Sequence, residues 1–217
     1  MTMFGETHRG PQDEFDSRTL ADTLEAVIVH PQLDEEAVAF IESRAFFFLS
    51  TVNADGQPTV SHKGGAPGFV RVVDPETIVF PSYDGNGMFL SMGNIAAGAK
   101  IGMLFIDFET PHRLRVHATA VVSSSDPMMV EFPGADLVVR ATVSGQFVNC
   151  PRYITRFGSG EPSKYVPDSD GKAPLPGWKK IDVMQPVLPG RFAGRADEEG
   201  GTFTLEEYSE NLAAGNG

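Results

Sequence analysis

The chain has 217 residues, with 17 Lys plus Arg against 29 Asp plus Glu and a formal net charge of -12. That balance opposes binding to DNA, RNA or an anionic membrane, since polyanions are held by clustered cations. Its single cysteine, Cys150, excludes an intrachain disulfide, and the five histidines include no helical pair at metal-ligand spacing, so no metal site is expected.

Residues 1–12 are polar and lack the apolar core of a signal peptide. The most apolar short run, Phe46-Phe47-Phe48-Leu49, falls far short of the roughly 20 residues a membrane helix needs. A cytoplasmic protein is the expectation. Residues 1–33 read as an extension with a short helix over 17–29. Asp34 can cap a helix running to Ala45, because its carboxylate accepts from free N–H groups while Val38, Ile41 and Ala45 share a face.

Residues 46–52 are aromatic and β-branched, Asn53-Ala54-Asp55-Gly56 is a turn, and 57–62 alternate in character, which predicts a hairpin. A second hairpin pairs 69–73 with 77–81 around Asp74-Pro75-Glu76. Asn86 can cap a helix over 88–97, with Gly98 as its stop. Strands over 101–108 and 113–122 flank a turn at Glu109 to His112, and 137–143 form one more. Short links between strands favour antiparallel pairing in a closed or sandwiched sheet. The reading is therefore a domain over 34–155 and a Pro/Gly-rich extension over 156–217 packed on it, with a mobile end.

Three segments carry candidate chemistry. Ser61-His62-Lys63-Gly64-Gly65 offers a hydroxyl, an imidazole, an ammonium and free backbone N–H groups at a strand end, a set that suits a phosphate and equally a solvated loop. From Pro81-Ser82 through Asn86-Gly87 the chain leaves a strand and enters a helix, whose positive end can hold an anion. Arg113 and Arg115 are two apart on a strand and share a face with His117. Cys150 has no base near it in sequence, and no nucleophile elbow, Walker loop or dinucleotide glycine pattern is present.

Taken in order, Phe46 to Thr51, Ser61 to Gly65 with Pro67 to Val72, Asp84 to Met88, Gly93-Asn94-Ile95, Leu104 to Phe108, Arg113 to Val116 and Asn149 to Ile154 resemble the pyridoxamine 5'-phosphate oxidase-like family of flavin-binding split barrels. The resemblance spans most of 35–155. It implies a mainly β protein, a six-stranded antiparallel split barrel with peripheral helices, that forms a homodimer with FMN in clefts between subunits. By the same resemblance Ser61, His62, Lys63 and Gly64 approach the flavin ring and phosphate. Pro81 and Ser82 lie beside the isoalloxazine, Asn86 and Gly87 form the phosphate turn, and Arg113, with Arg115, faces the cofactor. Asn149, Arg152, Tyr153 and Trp178 fall on the substrate or partner-subunit side.

Two departures matter. The authentic oxidase carries a Ser-Arg-Lys run at the phosphate turn, where this chain has Asn86-Gly87-Met88, and its C-terminal Arg-x-His is replaced by Arg191-Phe192-Ala193. The resemblance thus implies an FMN-dependent oxidoreductase acting on a small molecule other than a vitamin B6 phosphate. The alternatives are a non-catalytic flavin or haem binding protein and a deazaflavin-dependent reductase of the same superfamily.

Overall fold

The computed structural model describes residues 3–83, 87–98, 100–157 and 174–213. The chain divides into two compact units, one made of Val29–Asp107 with His112–Cys150, the other of residues 1–28, Phe108–Pro111 and 151–217.

The first unit is an antiparallel sheet with two helices. Its strands are β1 (Val29–His30), β2 (Phe46–Val52), β3 (Pro58–Gly64), β4 (Arg71–Asp74), β5 (Thr77–Tyr83), β6 (Lys100–Asp107), β7 (His112–Ser123) and β8 (Ala135–Val148). They run in the order β3-β2-β6-β7-β8-β5-β4, with β1 added on β8, and every pair is antiparallel. Among the described residues β3 and β4 end this order without pairing to each other, so the sheet is split rather than closed. The three expected hairpins, β2–β3, β4–β5 and β6–β7, form where turn residues interrupt the alternation. β8 is twice as long as the 137–143 run suggested, because β5 pairs along one of its edges from Ala135 to Thr142 and β7 along the other from Val138 to Val148.

Helix α3 (Glu35–Ser43; the N-terminal helices of the second unit are α1 and α2) is capped as its sequence predicts, the Asp34 carboxylate accepting from the Ala37 N–H at 2.8 Å. It buries Ala37 and Ile41 and anchors the glycine-rich crossing from β3 to β4. Gly65 N–H donates to the Ala45 carbonyl at 2.9 Å, Gly68 N–H to the Glu42 carbonyl at 2.7 Å, and Val72 N–H to the Glu42 carboxylate at 3.0 Å. A Cβ on Gly65 would stand 2.6 Å from the buried Phe69 ring, so glycine is required there. Helix α4 (Leu90–Gly98) buries Met92 and Ile95 in the same core.

Phe47 is the centre of that core. It is fully buried, and its ring lies 5.0 Å from Phe80 edge-on and 5.1 and 6.0 Å from Phe105 and Phe69 in stacked arrangements. Aromatic groups from β2, β5, β6 and the β3–β4 crossing thus meet at one side chain. A smaller cluster of Val79, Phe132 and Val138 lies on the other side of β5, beside the ion pair of Arg140 with Asp126.

In the second unit, α1 (Glu6–Glu14) and α2 (Arg18–Ile28) are linked by ion pairs of Arg9 with Asp22 and Arg18 with Asp13. Gly190 N–H donates to the Asp16 carboxylate at 3.2 Å and Arg191 donates to the Phe15 carbonyl at 3.0 Å, so the two ends of the chain share one unit. Here also are α5 (Arg195–Glu198) and α6 (Leu205–Ala213), the latter in a stretch where the sequence pattern indicated no element. No helix among the described residues is long and apolar enough to cross a membrane.

Truncating Phe47 to Ala removes the group on which four elements converge. The expected cost is about 3–5 kcal/mol of unfolding free energy, measurable by chemical denaturation; a loss below about 1 kcal/mol would mean the core does not depend on this ring.

Candidate functional site

Successive residues of a strand point to opposite faces, and the register of the sheet assigns each candidate to one of them. Lys63 pairs with Phe47, Phe47 contacts Phe105, and Phe105 pairs with Leu114, which defines the core face. His62, Phe48, Leu104, Arg115 and Phe147 form the next row across five adjacent strands, on the outward face.

On the core face of β3, Thr59, Ser61 and Lys63 are half-buried, and α4 lies alongside them. The Ser61 and Ser91 hydroxyls share a hydrogen bond at 3.1 Å. One helical turn further on, the buried Asn94 donates to Thr51 Oγ1 at 3.0 Å and to Thr59 Oγ1 at 3.5 Å, and the Thr51 and Thr59 hydroxyls are 2.9 Å apart. At the far end, a Cβ on Gly98 would lie 3.8 Å from the Val52 carbonyl. These contacts fix the direction of α4. Moving back from Gly98 through Asn94 to Ser91 follows β3 forward from Thr59 to Ser61, so the positive end of the helix is directed toward the Lys63 end of the strand.

The Lys63 ammonium has no ion pair or hydrogen bond among the described residues. Burial lowers its pKa from the ordinary 10.5. An ammonium that is partly desolvated, unpaired, and on the side toward which a helix N-terminus points fits an anion such as a phosphate. Gly64 continues the strand, and a Cβ there would meet the His62 imidazole at 2.9 Å. Gly87 has a positive φ of 71°, which suits glycine at the entry to α4. Ser82 is buried at the end of β5 and by alternation shares the core face with Ile78 and Phe80; Pro81 is buried on the opposite side. Asn86 lies outside the described residues.

The arginines are elsewhere. Arg113 and Arg115 share the outward face with His62, across the sheet from Lys63. Arg113 donates from Nη2 to the Cys150 carbonyl at 2.7 Å, while its Nε is buried without a hydrogen-bond partner. Burial, then the neighbouring Arg115 charge, lower its pKa. Asn149 donates its N–H to the Arg113 carbonyl at 3.3 Å, and its side-chain oxygen is likewise buried and unpaired. Arg115 is exposed, with its guanidinium 5.9 Å from the Phe147 ring. Arg152, Tyr153 and Trp178 belong to the second unit. The structure thus groups Ser61, Lys63 and Ser82 on one face, and His62, Arg113 and Arg115 on the other.

Asn94, Thr51, Thr59 and Ser91 escaped sequence reasoning as site residues. Their signal was present: hydroxyls at alternate positions of two paired strands, opposite Ser and Asn three apart on a helix.

A family model for pyridoxamine 5'-phosphate oxidase matches residues 33–145, more than half of the chain. The chain belongs to the pyridoxamine 5'-phosphate oxidase-like family, and its open antiparallel sheet with peripheral helices is that family's split barrel. No curated protein matches it. Among solved structures, it is similar to a protein of Lactobacillus delbrueckii assigned to the pyridoxamine 5'-phosphate oxidases, at 30% identity, covering 54% of this chain and 95% of that one with a TM-score of 0.44. HupZ of Group A Streptococcus matches at 21% identity over 54% of this chain and 93% of its own, TM-score 0.44. HutZ, the haem storage protein of Vibrio cholerae, matches at 21% identity over 54% and 94%, TM-score 0.40.

The Lys63 ammonium is expected to titrate below 10.5 in the ligand-free protein. NMR of the methylated lysines, with Lys63→Arg assigning the resonance, checks this; a midpoint at or above 10.5 would place the ammonium in bulk water.

Proposed function

We propose that this protein is an FMN-dependent oxidoreductase that acts on a small molecule and works as a homodimer with its cofactor between subunits. The observation that carries the reading is Lys63: a half-buried, unpaired cation beside the Ser61–Ser91 hydroxyl pair, on the side to which α4 points its N-terminus. In a chain of this family, the ligand that fits is the phosphate of a flavin nucleotide. The flavin supplies the hydride chemistry when bound, and the protein's part is to bind, orient and exclude water.

Lys63 and the free amides of α4 hold the phosphate, and Ser61 and Ser91 orient it. Ser82, buried at the strand end, lies on the same face and offers a hydroxyl toward the ring. Arg113 stands across the sheet from Lys63 of its own chain, so its contribution to this ligand comes from the second subunit. The outward row of His62, Phe48 and Leu104, with Phe46 stacked on His62 at 5.3 Å, is the seam between copies. Vitamin B6 phosphate oxidation is not part of this proposal, because Gly87 and Met88 stand where the authentic oxidase has two phosphate-binding cations.

Protein as purified is expected to be yellow, dimeric by gel filtration, and to hold one FMN per subunit. A colourless monomer whose flavin titration shows no quenching would refute the reading, and tighter binding of a deazaflavin than of FMN would reassign the cofactor. Lys63→Ala is expected to weaken FMN by roughly 1.5–3 kcal/mol, the loss of a charge-assisted contact; unchanged affinity would remove Lys63 from the site.

The pH dependence follows in sign. An anion is held by the charged ammonium, so FMN affinity should fall as pH rises through the lowered Lys63 pKa, and Lys63→Arg should abolish that fall. Folding runs oppositely: between the folded pKa and 10.5 the unfolded chain carries more protons, so this group's effect on stability grows with pH. Weakened binding over that range therefore cannot be attributed to Lys63-linked unfolding.

A further inference from the structure

The hydrogen bonds of Asn94 have no counterpart in the residues so far assigned to ligand. Asn94 is 8% exposed and Thr51 2%, so a carboxamide and a hydroxyl are enclosed between α4 and the β2–β3 hairpin. Burying such groups costs free energy unless they are paired, and here they pair with one another: Asn94 Nδ2 to Thr51 Oγ1 at 3.0 Å, and the Thr51 and Thr59 hydroxyls at 2.9 Å. An all-apolar contact would let the helix slide along the strand. A directional bond fixes its position along the axis.

That axial position decides what Lys63 can share with the helix. Thr59, Ser61 and Lys63 are successive core-face positions of β3, about 6.8 Å apart. Asn94 is level with the first and Ser91 with the second. The helix N-terminus is then directed toward the third. A shift of α4 by one turn, about 5.4 Å, would break the Ser61–Ser91 bond and misalign the free amides with the ammonium.

We infer that Asn94 is a positioning residue for the phosphate of the ligand: by locking α4 onto Thr51 and Thr59 it sets the helix N-terminus and Ser91 in register with Ser61 and Lys63, and so provides selection for a phosphorylated flavin over its unphosphorylated form. The inference rests on the flavin reading above and adds to it a residue that touches neither ring nor phosphate. Its effect is local to one end of the ligand. The flavin ring, common to FMN and riboflavin, does not depend on the register of α4.

The test compares FMN and riboflavin on the full chain, stripped of bound flavin, by fluorescence quenching, in wild type, Asn94→Ala and Thr59→Val. Thr59→Val keeps the shape of the strand and removes the hydroxyl that bridges Thr51 and Asn94, so it remains informative if Asn94→Ala does not fold. Wild type is expected to favour FMN. In the variants FMN affinity should fall about tenfold, equivalent to about 1.4 kcal/mol, with riboflavin affinity unchanged within a factor of two. Combining Thr59→Val with Lys63→Ala should then cost less than the sum of the two, since both act on one phosphate.

Equal losses for FMN and riboflavin would show a purely structural role and overturn the inference. So would unchanged FMN affinity in both variants. If wild type binds neither flavin, the flavin reading itself fails, an outcome distinct from either of these.

Discussion

A β-strand cannot place neighbouring side chains on the same side, and the organisation of the sheet unit follows from this constraint acting on two paired strands. On β2, Phe47, Leu49 and Thr51 face inward while Phe46, Phe48 and Ser50 face outward. On β3 the same alternation sends Lys63, Ser61 and Thr59 inward and His62 and Val60 outward. The inward set supplies in succession a core aromatic, an aliphatic and a hydroxyl on one strand, and an ammonium and two hydroxyls on the other. Core and proposed anion cradle are therefore parts of one surface, continuous from Phe47 to Lys63.

The two halves of that surface are stabilised differently. Around Phe47 the contacts are non-directional, and the rings of Phe69, Phe80 and Phe105 fill space from three elements. Beneath α4 they are directional, with Asn94, Thr51, Thr59, Ser61 and Ser91 in a ladder of hydrogen bonds. The net worth of each such bond is only about 1 kcal/mol, so the ladder adds little to total stability. Its effect is on geometry, since the cost of leaving any rung unmet selects one register among several that hydrophobic contact alone would permit.

Much of the fold was legible in the sequence because its punctuation is local. Asn53-Ala54-Asp55-Gly56 and Asp74-Pro75-Glu76 mark turns by their own chemistry, and Asp34 marks the start of α3 by the bond its carboxylate makes to Ala37. The length of β8 was not legible, because its outer residues are held by pairing with strands distant along the chain: Ser82 of β5 pairs with Leu137, 55 residues on, and Ser123 of β7 with Val138, 15 residues on. Helix α1 was missed because Gly10 and Pro11 lie within it, and both residues disfavour a helix interior. The candidate site was legible as a set of residues and illegible as an arrangement. Ser61, His62 and Lys63 are adjacent in sequence and were read together, yet the strand separates His62 from the other two. Arg113 and Arg115 were correctly placed on a shared face, but which face depended on the register of three strand pairs. Asn94 is visible in sequence only as part of a motif, since nothing in a helix sequence tells a solvated asparagine from one that pairs with threonines on a distant hairpin.

The proposed anion site of so acidic a protein faces an electrostatic objection, and the position of Lys63 answers it. The formal charge of -12 is spread over a surface where charges separated by more than about 8 Å are largely screened at physiological ionic strength. Lys63 is half-buried and so partly withdrawn from that solvent, and its attraction for a phosphate would be screened less than the repulsion from distant carboxylates. The unfavourable desolvation is already present in the ligand-free protein, where no described residue neutralises the ammonium. On the proposed reading, a phosphate arriving there would meet a cation whose solvent has been partly removed in advance, held in register with a helix N-terminus, so that local preorganisation rather than net charge would govern what this face accepts.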